Sequence, residues 1–147
     1  QYLLLFVVSF LIKILDDKQK EILAIYQASK AFVSKTKVAL FDESVEKLNS
    51  TYPSFQELRE NIRRDLAGFI GVEVIKKEKY AINHEDLEKA FKTANDVVNK
   101  YKMLNSVDEL LLDIKNDLRS ELSQNVEEIN RLKEIMLKNE VITFDDI

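Results

Sequence analysis

The chain has 147 residues, 33% charged and 46% hydrophobic, with 22 basic and 26 acidic side chains for a net charge of −4. That length suits one domain with a real core, and the apolar content excludes a disordered polymer. The acidic balance disfavours a general nucleic-acid binder, and the absence of cysteine removes disulfide frameworks, thiolate metal sites and cysteine nucleophiles.

Two glycines and one proline leave little material for tight hairpins, sandwiches or phosphate-cradling loops. The composition therefore predicts an all-α protein, a helical bundle or a set of extended helical hairpins. The N-terminal segment, residues 1–15, is the most apolar part, uncharged from Gln1 to Ile12. A bilayer-crossing helix needs roughly 20 apolar residues, so this block is too short to span as it stands. Two readings stand beside each other: a truncated membrane anchor, and a helix or strand buried in the core or between subunits. A secretory signal fits less well, because no basic stretch precedes the block and no small-x-small site follows it. Gln1 in place of methionine and an apolar finish suggest a fragment. Tyr2, Phe6 and Phe10 recur every four residues, which places them along one helical face.

Residues 16–147 are expected to form a single helical domain. Ile22, Ile25, Tyr26, Phe32 and Val33 follow helical spacing, and Leu40, Phe41, Val45 and Leu48 continue it,. Asn49 to Ser54, with Pro53, marks a break,. Ser54 and Glu57 then form a candidate capping box, with Phe55, Leu58, Ile62 and Leu66 facing the core and Gly68 and Gly71 closing the helix. Val72 to Ile82 alternates in places and reads as a minor extended segment near 70–82,. Asn83 caps the next helix, with Glu85 and Asp86 suiting its positive end and Leu87, Phe91, Ala94, Val98 and Tyr101 as its buried stripe. Ser106 with Glu109 repeats the capping pattern,. Leu111, Ile114, Leu118, Leu122, Val126, Ile129, Leu132 and Met136 take seven steps across 25 positions, a mean of about 3.6 that predicts one long amphipathic helix. Val141 to Ile147 reads as a short C-terminal strand or docked tail.

Reaction chemistry is sparse. His84, Glu85 and Glu88 lack the second histidine of a zinc-protease pattern,, and Glu88 with Lys92 reads as an exposed i,i+4 pair. Adjacent acidic residues, as at Asp145 and Asp146, point to different sides of a helix and form no acid/base dyad. Arg59, Arg63 and Arg64, with Lys76, Lys77 and Lys79, could meet phosphate, but Glu57, Glu60, Asp65, Glu73 and Glu78 interleave with them and favour a salt-laced outer face.

The expectation is therefore a non-catalytic helical interaction or scaffold subunit, with no cofactor and no metal. Its partner would be another protein or a second copy, with membrane contact through residues 1–15. Leu3, Phe6, Val7, Phe10 and Leu11 are the first set of interface candidates. Leu111, Ile114, Leu118, Leu122 and Ile129 on the last helix are the second. The alternative is a ligand-sensing or regulatory bundle that turns polar groups inward, for which Asn95, Asn99 and Asn116 are candidates.

Overall fold

The computed structural model describes residues 6–7, 16–44, 54–79, 84–102 and 105–147. Five helices dominate: α1 (Asp17–Ser44), α2 (Phe55–Lys76), α3 (His84–Lys100), α4 (Val107–Ser123) and α5 (Val126–Asn139). The protein is an all-α helical bundle. α1 packs against α2 and α5, while α2 also carries α3 and α4 on its other sides. A short antiparallel pair, β1 (Phe6–Val7) and β2 (Val141–Ile142), sets Phe6 opposite Ile142 and Val7 opposite Val141. At Phe6 and Val7 the apolar block is thus strand rather than helix. Leu3, Phe10 and Leu11, the expected break at Pro53 and the expected cap at Asn83 lie outside the described residues.

Local chemistry explains where most helices begin. Asp16 Oδ1 accepts from Gln19 N at 2.8 Å, and Asp16 N donates to Gln19 Oε1 at 3.1 Å, a reciprocal box that satisfies otherwise unpaired donors. Ser54 Oγ accepts from Glu57 N at 3.2 Å, and Ser106 Oγ from Glu109 N at 3.1 Å. Both expected caps form.

Helix ends depart from the sequence reading. Gly68 and Gly71 do not close α2. The helix runs through both to Lys76, so residues 70–76 are helical rather than extended. Its stop is Lys77 in the left-handed region at φ 60°, donating its N–H to Glu73 O at 2.9 Å. Glu140 ends α5 in the same way at φ 61°. Glycine would be the cheaper residue at both caps, but the chain's two glycines serve inside α2.

The long C-terminal helix is also two helices. Gln124 and Asn125 form a turn in which Asn125 Nδ2 donates to Glu121 O at 2.7 Å, so the side chain competes with the backbone ladder. The apolar repeat survives because both segments feed one core: Ile114, Leu118 and Leu122 from α4, and Ile129, Leu132 and Met136 from α5, are fully buried. They meet Ile62, Leu66 and Ile70 of α2, and Ile142 of β2 is buried with them. Each such side chain contributes roughly 1.5 to 3 kcal/mol on leaving water. The tail is then held by polar contacts. Asp146 Oδ2 accepts from Thr143 N at 2.9 Å, and Arg131 Nη2 donates to Asp146 O at 2.5 Å.

Small residues set the closest approach. Ala24, Ala28 and Ala31 of α1 and Ala67 of α2 are buried, and Gly68 and Gly71 lie directly against Tyr26 and Ser29 of α1. α3 follows the same rule and presents Ala90, Ala94 and Val97 inward. The expected stripe is borne out at Ala94, which is fully buried, and at Val98, which packs on the core, but Leu87, Phe91 and Tyr101 are exposed. A helix packed closely on α2 has room for alanine at the contact, so its larger apolar groups are displaced to the rim.

Candidate functional site

The exposed edge of α3 borders an open groove of about 490 Å³ between this helix and α4, with Leu66 and Ala90 among its lining and Leu87, Phe91 and Leu111 forming its apolar walls. Phe91 is 54% exposed, Leu87 37% and the neighbouring Leu112 55%. Glu88, Lys92, Asp108 and Lys115 supply charge around the apolar walls. Glu88 and Lys92 are both exposed, and no ion pair joins them or ties either to another described residue. Isolated exposed apolar groups are ordinary on any protein surface, whereas several gathered around one concavity mark a binding surface.

The expected interface residues divide around this groove. Ile114, Leu118, Leu122 and Ile129 are fully buried in the chain's own core, which removes them as contact residues for another molecule. Leu111 is half-buried and lines the groove. Leu87 and Phe91 complete the apolar lining, although helical periodicity assigned both to the core; Leu112, exposed beside Leu111 in sequence, lies outside that lining. The available signal was Asp86, Ala90 and Val97, which share Ala94 with the expected stripe and form a row whose small members suit close packing.

A polar cluster lies beneath the α1, α2 and α3 contacts. Tyr26, fully buried, donates its hydroxyl hydrogen to Asp86 Oδ2. Lys30 Nζ lies 2.8 Å from the same oxygen. Burial raises the Tyr26 phenol, and its hydrogen bond to Asp86 raises it further, so Tyr26 stays protonated and acts as a donor. The Tyr26 ring meets Phe69 edge-on at 5.2 Å. Asp65 is also buried. Its carboxyl is raised above the ordinary range chiefly by burial, with Arg64 opposing that shift and Asp86 adding to it.

Among the described residues the buried polar side chains are Ser29, Ser34, Arg63, Asp65 and Asp86, together with the hydroxyl of Tyr26. Asn95, Asn99 and Asn116 are exposed, contrary to the alternative reading, and Asn116 Oδ1 accepts from Arg119 Nη1 at 3.0 Å. Asp86, expected only as a first-turn acid, instead joins α3 to α1. Ser29 Oγ donates to Ile25 O at 2.8 Å, which uses its hydroxyl within α1.

Asp65 makes a signed prediction. The folded chain binds its proton more readily than the unfolded chain, so ionised Asp65 costs stability above its folded pKa. That cost vanishes below the unfolded value of about 3.9. Asp65→Asn should raise the melting temperature at pH 7, and the gain over wild type should close as pH falls through that interval. Calorimetry across pH checks this; a gain that does not change with pH refutes the assignment.

Four of the six basic side chains expected on a salt-laced face, Arg59, Arg63, Lys76 and Lys79, are engaged with acids. Arg59 pairs with Asp113 at 3.4 Å and also with Asp117, and Arg63 pairs with Glu121 and Glu60. Lys76 reaches Glu21 at 2.6 Å. Arg119 Nε donates to Glu73 at 2.6 Å and holds that carboxyl below its usual range. Most of these pairs tie α2 to α4 or α1. Their exposed members contribute little individually, but they engage Arg59 and Arg63, two of the three arginines that could have met phosphate; Arg64 makes no ion pair among the described residues.

Among the described residues no cluster of three or more histidine and acidic groups converges on a metal position, and no helix is long and apolar enough to cross a membrane. Comparison with protein families, curated proteins and solved structures returns no match.

Proposed function

We propose that this protein is a helical interaction module whose α3–α4 groove receives apolar side chains from a helical partner. The observation that carries the reading is Phe91, more than half exposed beside Leu87 and Leu111 around one concavity. Aromatic anchors seated in such grooves dominate many interfaces, and an amphipathic helix delivers apolar groups at i, i+3 or i+4 and i+7. The charged rim would orient the partner while the apolar walls supply affinity.

Selection of a displayed helical-peptide library against the full chain tests this reading. Selected peptides should carry the i, i+3 or i+4, i+7 apolar pattern. Their affinity should fall at least tenfold on Phe91→Asp, a loss of about 1.4 kcal/mol, with the helical circular dichroism signal preserved. Binding that ignores both Phe91→Asp and Leu87→Asp would reject the groove as the site.

Residues 1–15 keep a proposed second role in assembly or membrane contact. Co-sedimentation of the full chain with anionic and neutral vesicles checks the membrane part, and a chain left wholly in the supernatant rejects it.

A further inference from the structure

We infer that the groove's occupant is a second copy of this chain, docked through an antiparallel, two-fold apposition of α3 on α3. This inference rests on the groove being a docking surface and adds the identity of what docks there. A two-fold interface must be self-complementary, so that residue i meets residue j and j meets i. The outward face of α3 meets that condition. Glu88 and Lys92 flank Phe91 along the groove, and neither is tied to another described residue by an ion pair.

The register follows from helix geometry. Glu88 and Lys92 are separated along the axis by about 6 Å, at about 1.5 Å per residue. A two-fold axis level with Ala90 brings Glu88 of one copy opposite Lys92 of the other, and repeats the contact on the far side. Phe91 then lies next to the axis, where the two rings meet between the paired charges. Leu87 lies farther out along the same face, and the half-buried Leu111 and exposed Leu112 of α4 widen the apolar contact. A parallel apposition in equal register would set Glu88 against Glu88 and Lys92 against Lys92. Charge therefore selects the antiparallel arrangement.

The test is the solution mass of the full chain, measured by light scattering and sedimentation from micromolar to near-millimolar concentration, with circular dichroism on every variant. Wild type should approach twice its 17.1 kDa monomer mass as concentration rises. Phe91→Glu should remain monomeric. Glu88→Lys alone should also remain monomeric, because it sets lysines against Lys92 of the other copy, and Lys92→Glu alone should fail through opposed acids. The double variant, Glu88→Lys with Lys92→Glu, should recover the dimer, since exchanging both signs restores complementarity. All three positions are exposed, so the helical signal should be unchanged.

A wild type that stays monomeric throughout overturns the inference, as does a dimer that persists in Phe91→Glu. A double variant no more dimeric than the single ones overturns the register. A monomeric wild type that still binds groove-selected helical peptides rejects self-pairing and leaves the docking groove standing; one that binds no peptide rejects both.

Discussion

Replacing Gly71 by alanine is expected to destabilise the fold by about 3 kcal/mol, the upper part of the range for forcing an extra carbon into a packed core. The sign is the informative part. In an exposed helix interior the same change stabilises by roughly 1 kcal/mol, because alanine loses less backbone freedom than glycine. At Gly71 a Cβ would lie 1.8 Å from Ser29 Oγ and 2.4 Å from Ser29 Cβ. Rotating the hydroxyl relieves the first contact only. The second involves a carbon fixed to the α1 backbone, so α1 and α2 must separate, and buried neighbours such as Ala28 and Ala67 would lose contact. Urea unfolding of Gly71→Ala measures the cost. The Ser29→Gly, Gly71→Ala double variant should recover part of it, since the remaining contact with Leu122 is an ordinary 3.8 Å. A double variant no more stable than Gly71→Ala would place the strain elsewhere.

The second large effect is expected at Asp86. Asp86→Ala should cost about 3 kcal/mol, the lower end of the range for removing one member of a buried ion pair. The lower end applies because the Lys30 side chain keeps some exposure at 17% and can turn its ammonium toward water. Tyr26 has no such escape. Its hydroxyl is buried, and its ring is held against Phe69 and close to Gly68, so loss of the acceptor strands a donor. For a chain of this size the change corresponds to a fall of roughly 6 to 12 °C in melting temperature. Asp86→Ala in a Tyr26→Phe, Lys30→Met background should cost much less, because both stranded groups are gone. Equal costs in the two backgrounds would show that the cluster is not coupled through Asp86.

These sites expose different limits of reading a sequence. Ser54 and Ser106 were legible as caps because a cap depends on a hydroxyl and a backbone donor three residues on,. The helical character of α2 was legible in Ile62, Leu66 and Ile70. Its end was not, since glycine spacing alone cannot distinguish a helix stop from a place where another helix comes close. In α3 periodicity found the helix and placed Ala94 and Val98 rightly against the core, but hydrophobic size drew in Leu87 and Phe91, which lie at the edge of the buried face. Packing on α2 kept Ala94 of the expected row and selected Ala90 and Val97 in place of the larger groups. The groove, its exposed aromatic and the proposed contact between copies all follow from that selection.

Composition and periodicity by themselves determined that the chain is helical, which residues cap α2 and α4, and that the row from Ile114 to Met136 is an apolar helical face. These properties depend on backbone chemistry and on residues within a turn of one another. Only the tertiary structure decided that this face serves the chain's own core rather than a partner, that Gly68 and Gly71 are contact points, that Asp86 binds Tyr26 and Lys30 across 60 and 56 positions, and that Leu87 and Phe91 remain at the surface. Each of those outcomes depends on the distance between helix axes, which is set jointly by side chains from different helices and is therefore encoded in no single stretch of chain.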